Sequence, residues 1–141
     1  MPNADAPSGD ETGGSQPNRS QPSRTQHGTD TSLLIVSAHA ADFVWRAGGA
    51  AARYADRGAR VTVACLSYGE RGESARLWRQ GKNLDQIKDI RRQEAEAASR
   101  ILGAELRCFD AGDYPLEPTP SLIDAMVGLY REVQPTIVLT H

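Results

Sequence analysis

Four short apolar runs, separated by stretches of helical periodicity, constrain this 141-residue chain more than any other feature. The runs are Leu33-Leu34-Ile35-Val36, Val61 to Leu66, Leu106 to Phe109 and Ile137 to Thr140. Each has the length and character of a strand buried on both faces. Between the first two, Phe43 to Arg57 gathers Val44, Ala47, Ala51 and Tyr54/Ala55 on one face and meets Gly58 where a helix C-cap glycine belongs. Ala75 to Arg79 reads as a short helical turn. Leu84 to Leu102 reads as a long helix with Asn83 as N-cap, Asp85 and Asp89 suited to the dipole at its start, and Gly103 closing it. Its inward face is expected to be Leu84, Ile87, Ile90, Ala98 and Ile101. A last helix is expected to be capped by Ser121, to bury Leu122, Met126, Leu129/Tyr130 and Val133, and to end at Pro135. The order β-α-β-α-β-α-β predicts an α/β fold, a Rossmann-like parallel sheet with helices on both faces and right-handed crossovers.

That topology has a consequence for function. In parallel sheets of this kind ligands sit outside the carboxyl ends of the strands. The loop holding His39, the loop holding Glu70, the loop holding Asp110, and His141 all fall at that edge, so these residues are expected to share a site.

Residues 1–32 stand apart. Met1, Ala4 and Ala6 are their only apolar side chains, too few to offset the entropy of ordering, so this segment is expected to be a disordered tail with His27 solvated. The start lacks the basic and apolar regions of a signal peptide, and no apolar run is long enough for a transmembrane helix. The tail holds Arg19 and Arg24 against Asp5, Asp10, Glu11 and Asp30; residues 33–141 hold equal numbers of basic and acidic side chains. Neither part has the basic excess that nucleic acid or an anionic membrane surface requires. A cytoplasmic protein without nucleic-acid or membrane partners is expected. Cys65 and Cys108, both in predicted strands, read as two free, packed thiols.

The loops carry several candidate groups. His39 and Asp42, three residues apart in a strand-to-helix loop, can turn toward one point and hold a divalent metal such as zinc; Asp42 as a helix cap is the plain alternative. Gly48-Gly49 inside the following helix suggests close backbone packing. Arg71 offers a planar fork for a substrate carboxylate, or a surface ion pair with Glu70 or Glu73. Arg91 and Glu94 suit an intrahelical ion pair. Asp110 and Asp113 could bind a metal or position water, with helix or turn capping the plainer role for each, and Trp45 and Trp78 suit packing. No dinucleotide fingerprint or phosphate loop is present, and no Ser/His/Asp triad is suggested.

These stretches together resemble the PIG-L/LmbE family of zinc enzymes. The matching motifs are Ser37-Ala38-His39-Ala40-Ala41-Asp42-Phe43, Gly48-Gly49, Gly69-Glu70-Arg71-Gly72-Glu73, Arg91-Arg92-Gln93-Glu94 and Leu102-Gly103, in family order over residues 33–141. The resemblance implies an LmbE-like fold, a Zn2+ cofactor, and His39 and Asp42 as metal ligands. The family's deacetylases place their general base where this chain has Ala41, and a methyl group activates no water. The opening Ser37 to Gly49, the loop Gly69 to Ala75, Gly112-Asp113-Tyr114-Pro115 and Val138-Leu139-Thr140-His141 resemble the family's 4-oxalomesaconate hydratase branch. That branch implies a lyase of aromatic catabolism hydrating an unsaturated oxo-tricarboxylate, with Arg71, Glu70, Arg46 and His141 on the substrate and the proton-transfer group unidentified. An N-acyl deacetylase and a non-catalytic α/β binding module are the alternatives. The family's third metal ligand lies in a motif beyond residue 141, so residues 33–141 are expected to be the N-terminal part of such a domain, C-terminally incomplete and inactive alone. Self-association into a homo-oligomer stays open.

Overall fold

The computed structural model describes residues 30–141; the tail and His27 therefore lie almost wholly outside the described residues. The chain runs β1 (Ser32–Ser37), α1 (Asp42–Asp56), β2 (Arg60–Cys65), α2 (Ala75–Arg79), α3 (Leu84–Leu102), β3 (Glu105–Cys108), α4 (Pro120–Val133), β4 (Ile137–Leu139). Ser32, placed in the tail by the sequence reading, already belongs to β1 and is buried.

All three strand pairings are parallel, and the sheet order is β3-β2-β1-β4. Alternation along β1 divides its side chains between two cores. Leu33 and Ile35 join Val61, Val63, Phe43, Ala47, Ala51 and Ala95 on the face covered by α1 and α3. Leu34 joins Ala64, Leu129 and Val133 on the face covered by α4. α1 and α4 lie on opposite faces, so the winding of the chain reverses between β1 and β4, and a crevice lined by Val36, Arg46, Leu139 and His141 lies at this switch point, where such folds bind ligands.

Local signals account for most boundaries. Asn83 accepts the Gln86 N–H while the Gln86 side chain accepts the Asn83 N–H, a reciprocal capping box that starts α3. Gly103 ends it at φ 68° with a Cβ position only 3.0 Å from the Ala55 methyl, so both conformation and space call for glycine there.

Several expectations need correction. Thr119, not Ser121, caps α4: its hydroxyl accepts the Leu122 N–H, and Pro120 occupies the first turn, where a missing N–H costs nothing. Asp42 is the first residue of α1 rather than its N-cap; Ala41 holds that position without a side-chain bond. Ile101 is 84% exposed, because two residues beyond buried Ser99 the helix has turned by about 200°. Val44 and Tyr130 are likewise exposed, and Trp45, expected to pack, is 86% exposed. Gly48 has only ordinary contacts, with Leu102 and the Phe43 carbonyl each at 3.8 Å, and Gly49 has open space, so no tight packing accounts for the pair.

Candidate metal and substrate site

The loop between β1 and α1 turns tightly enough to bring His39 back over the first turn of the helix. The Ser37 hydroxyl donates to the His39 carbonyl (2.7 Å), and the Asp42 N–H donates to the same oxygen (3.3 Å). Asp42 answers with its carboxylate: Oδ2 accepts the His39 backbone N–H at 3.1 Å and lies 3.1 Å from His39 Nδ1. Arg46, one turn on along α1, donates from Nε to Asp42 Oδ1 (3.3 Å). From the end of β4, His141 brings Nε2 to within 3.3 Å of Asp42 Oδ2. His39, Asp42, Arg46 and His141 thus meet at the crevice between β1 and β4.

Two further carboxylates reach His39: Asp113, for which capping was the plainer sequence expectation, and Glu73, expected only as an ion-pair partner of Arg71. Asp113, in the loop after β3, places Oδ1 3.2 Å from His39 Nε2. Its Oδ2 accepts the backbone N–H groups of Arg71 and Gly72, each at 2.9 Å. Asp113 therefore ties the β3 exit loop, the β2 exit loop and the metal-ligand histidine candidate into one network. Glu73 places Oε1 3.5 Å from His39 Nδ1. Arg91 of α3 holds the other Glu73 oxygen at 3.2 Å, pairs with Glu94 at 2.6 Å, and donates to the Tyr68 carbonyl. Gly69 makes room: at φ 68°, its Cβ position would stand 2.8 Å from Glu73 Oε2.

Glu70 and Arg71 sit differently. Glu70 is 2% exposed, and its carboxylate accepts the Tyr68 N–H and lies 3.8 Å from Lys88. It braces its own loop, and its contacts do not include His39 or Asp42. Arg71 enters the network through its N–H, with an exposed side chain. Ala41 lies at the N-cap of α1, half-buried, with a methyl group in place of a carboxylate.

Electrostatics follow from these contacts. Burial pushes the Asp42 carboxyl upward, but the Arg46 hydrogen bond, the two imidazoles and the His39 N–H outweigh it, so Asp42 titrates below its ordinary value. Burial likewise opposes ionisation of Asp113, and the Gly72 and Arg71 N–H groups together with His39 prevail, lowering it as well.

Among the described residues, His39, Asp42 and Glu73 bring one ligand atom each to within 4.8 Å of one another. The hydrogen-bond pattern fits a cation there. A neutral imidazole has one N–H. If Nε2 donates it to Asp113, the Nδ1 lone pair faces Asp42 and Glu73, two acceptors, and a metal ion among the three atoms turns that repulsion into coordination. An imidazole and carboxylate oxygens are donors that zinc accepts, and a carboxylate on the far ring nitrogen is the usual way such a histidine is oriented. The signal for Asp113 in the sequence was the Gly-Asp-Tyr-Pro tract; its pairing to His39 required the tertiary fold.

Comparison with known proteins shows the family and the fold. The family model described as PIG-L: GlcNAc-PI de-N-acetylase matches residues 34–141. A 4-oxalmesaconate hydratase of Pseudomonas putida is 54% identical over 111 residues, covering 78% of this chain and 43% of that protein. The crystal structure of GalB, the 4-carboxy-2-hydroxymuconate hydratase of the same species, superposes with a TM-score of 0.77 at 54% identity, over 79% of this chain and 47% of that one. A 1D-myo-inositol 2-acetamido-2-deoxy-alpha-D-glucopyranoside deacetylase of Rhodococcus erythropolis is 34% identical, over 77% of this chain and 45% of that protein. The chain thus spans under half the length of these relatives. No helix among the described residues is long and apolar enough to cross a membrane.

Proposed function

This chain belongs to the PIG-L, or GlcNAc-PI de-N-acetylase, family, and from that premise we propose that residues 33–141 are the N-terminal, metal-holding part of a zinc-dependent hydratase. The substrate class is an unsaturated oxo-tricarboxylate like that of the 4-oxalmesaconate hydratase of P. putida. His39 and Asp42 would hold the ion, with Glu73 beside it as a free carboxylate. When bound, zinc would polarise a substrate oxygen and stabilise the charge that develops as water adds to the alkene.

The observation that carries this reading is the pairing of Ala41 with Glu73. Where the resemblance puts a deacetylase's general base, the chain offers only a methyl group. On the other side of His39 stands a carboxylate that the loop is built to present. Glu73 is 34% exposed, against 13% for Asp42 and 4% for Asp113. Among the described residues it is the most open carboxylate on His39, and Arg91 Nη2 holds its other oxygen. We assign Glu73 the movement of the proton during hydration. Asp113 orients the imidazole, and Asp42 anchors it from the opposite side. Arg46, 59% exposed beside Asp42, and Arg71 on the neighbouring loop supply cationic groups for substrate carboxylates. His141 reaches the same edge from β4.

A chimera tests the assignment. Residues 33–141 replace the matching part of the P. putida hydratase, and the product is assayed for hydration of 4-oxalomesaconate and for acetate release from an N-acetylglucosaminyl-inositol. Hydration without acetate release supports the reading. A folded, zinc-loaded chimera that releases acetate and leaves the alkene untouched would overturn it in favour of a deacetylase.

A further inference from the structure

Cys65 ends β2 and Cys108 ends β3, and the parallel pairing sets them directly opposite each other in register. Neighbouring strands lie about 4.8 Å apart, and in-register residues of a parallel pair project to the same face. Both side chains accordingly pack against the core beneath α1 and α3. A disulfide needs Cα atoms roughly 4.4–6.8 Å apart, a range that includes the strand spacing. Expected from sequence as two free, packed thiols, they are made a facing pair by the register, and both are free in this structure.

We propose that Cys65 and Cys108 form an oxidisable dithiol, a modification site at which hydrogen peroxide joins β2 to β3 by a disulfide.

The two thiols have unequal roles. Cys108 is only partly buried, whereas Cys65 has no exposed surface. The neighbouring Cys65 thiol, and less so the Tyr68 hydroxyl, hold the Cys108 thiol below its ordinary pKa against the opposing effect of burial. The adjacent Cys108 sulfur and burial hold Cys65 well above its own. Tyr68 stays protonated as a donor, since burial pushes its phenol up to about 12. Cys108 is thus the thiol that reacts first. Its thiolate sulfur attacks one peroxide oxygen, the O–O bond breaks, and the departing hydroxide takes up the thiol proton as water. Cys108 becomes a sulfenic acid. The Cys65 sulfur then attacks the Cys108 sulfur, the S–O bond breaks, and hydroxide leaves with the Cys65 proton as a second water. Two thiols have supplied two electrons to one peroxide, and no other reactant is needed.

The pair sits where its state is felt. In the reduced form Cys65 Sγ–H donates to the Ser67 carbonyl at 3.0 Å, and the Ser67 hydroxyl accepts the Gly69 N–H at 3.3 Å. A disulfide removes the first of these bonds from the root of the loop that carries Glu73. The inference rests on strand register and does not depend on the proposed reaction.

The test is peroxide treatment of the purified chain, followed by tryptic mapping without reductant. Trypsin separates the two thiols into peptides 61–71 and 108–131. The expected result is one cross-linked species, lighter by two hydrogens than the two peptides and released by dithiothreitol. In Cys65→Ser, dimedone should trap a sulfenic acid on Cys108. Wild-type chain that gives over-oxidised Cys108 without a cross-link, two unmodified thiols, or a disulfide only between chains overturns the proposal. The wild-type map alone decides, so a poorly folding variant does not blunt the test.

Discussion

His39 Nε2 and Asp113 Oδ1 lie 3.2 Å apart across 74 residues of sequence. Asp113 is also the acceptor for two N–H groups of the β2 exit loop. One nearly buried carboxylate therefore sets both the ring orientation of the candidate ligand and the position of the loop that brings Glu73 to it.

Replacing Asp113 by Asn keeps the shape and removes the charge. Strong acceptors for two backbone donors are lost, and we expect destabilisation of about 1–3 kcal/mol at neutral pH, read from urea unfolding. The pH dependence has a definite sign. The folded carboxyl titrates below its ordinary value of 3.8, so its contribution is complete above about pH 5 and is lost as pH falls through the folded pKa. The wild-type chain should lose stability over that acid range more steeply than Asp113→Asn. Parallel acid profiles for the two proteins would refute the role given to Asp113.

Metal binding separates His39 from Glu73. Titration calorimetry with zinc near neutral pH should show stoichiometric binding to the wild-type chain. His39→Ala should abolish it, while Glu73→Gln should retain an affinity resting on His39 and Asp42. Equal affinities for wild type and His39→Ala would place any bound zinc elsewhere.

In the hydratase chimera, Glu73→Gln should lower kcat by about 10²–10⁴, the usual contribution of a positioned general acid or base, with KM little changed. Arg91→Lys keeps charge but not the fork, and should fall between wild type and Glu73→Gln. A Glu73→Gln enzyme of undiminished kcat would remove the proton-transfer assignment.

Gly69→Ala should act on the same group from behind. It puts a Cβ at positive φ, which costs about 1–2 kcal/mol, and 2.8 Å from Glu73 Oε2. Both lower thermal stability and loss of chimera activity are expected, whereas Gly49→Ala, with open space around it, should be neutral or stabilising.

The cap of α4 offers a control remote from the site. Thr119→Ala should cost about 1 kcal/mol, and Ser121→Ala less than about 0.5, because only the Thr119 hydroxyl accepts a helix N–H. The reverse order would restore the boundary first expected from the sequence.

That boundary shows how local signals can mislead. Thr119 and Ser121 are both good N-caps by composition, and the first-turn proline between them favours the earlier one. Trp45 and Ile101 mislead for another reason. Apolar side chains at the margin of a helical face turn inward only if something covers that side, and among the described residues nothing covers these two.

The chain's own pattern determined the order of elements, the parallel sheet with helices on both faces, and the convergence of the His39 loop, the Glu70–Glu73 loop, the Asp110–Asp113 loop and His141 at one sheet edge. Those are properties of periodicity and of short-range caps, which a linear sequence carries. Tertiary structure decided which carboxylates face His39. Glu70 and Glu73 stand three residues apart in one loop, yet Glu70 turns inward to Tyr68 and Lys88 while Glu73 reaches the imidazole. Tertiary structure likewise chose Asp113 over Asp110 and set Cys65 against Cys108. Each choice depends on strand register and on partners tens of residues away, and a single linear pattern does not encode distances across a sheet.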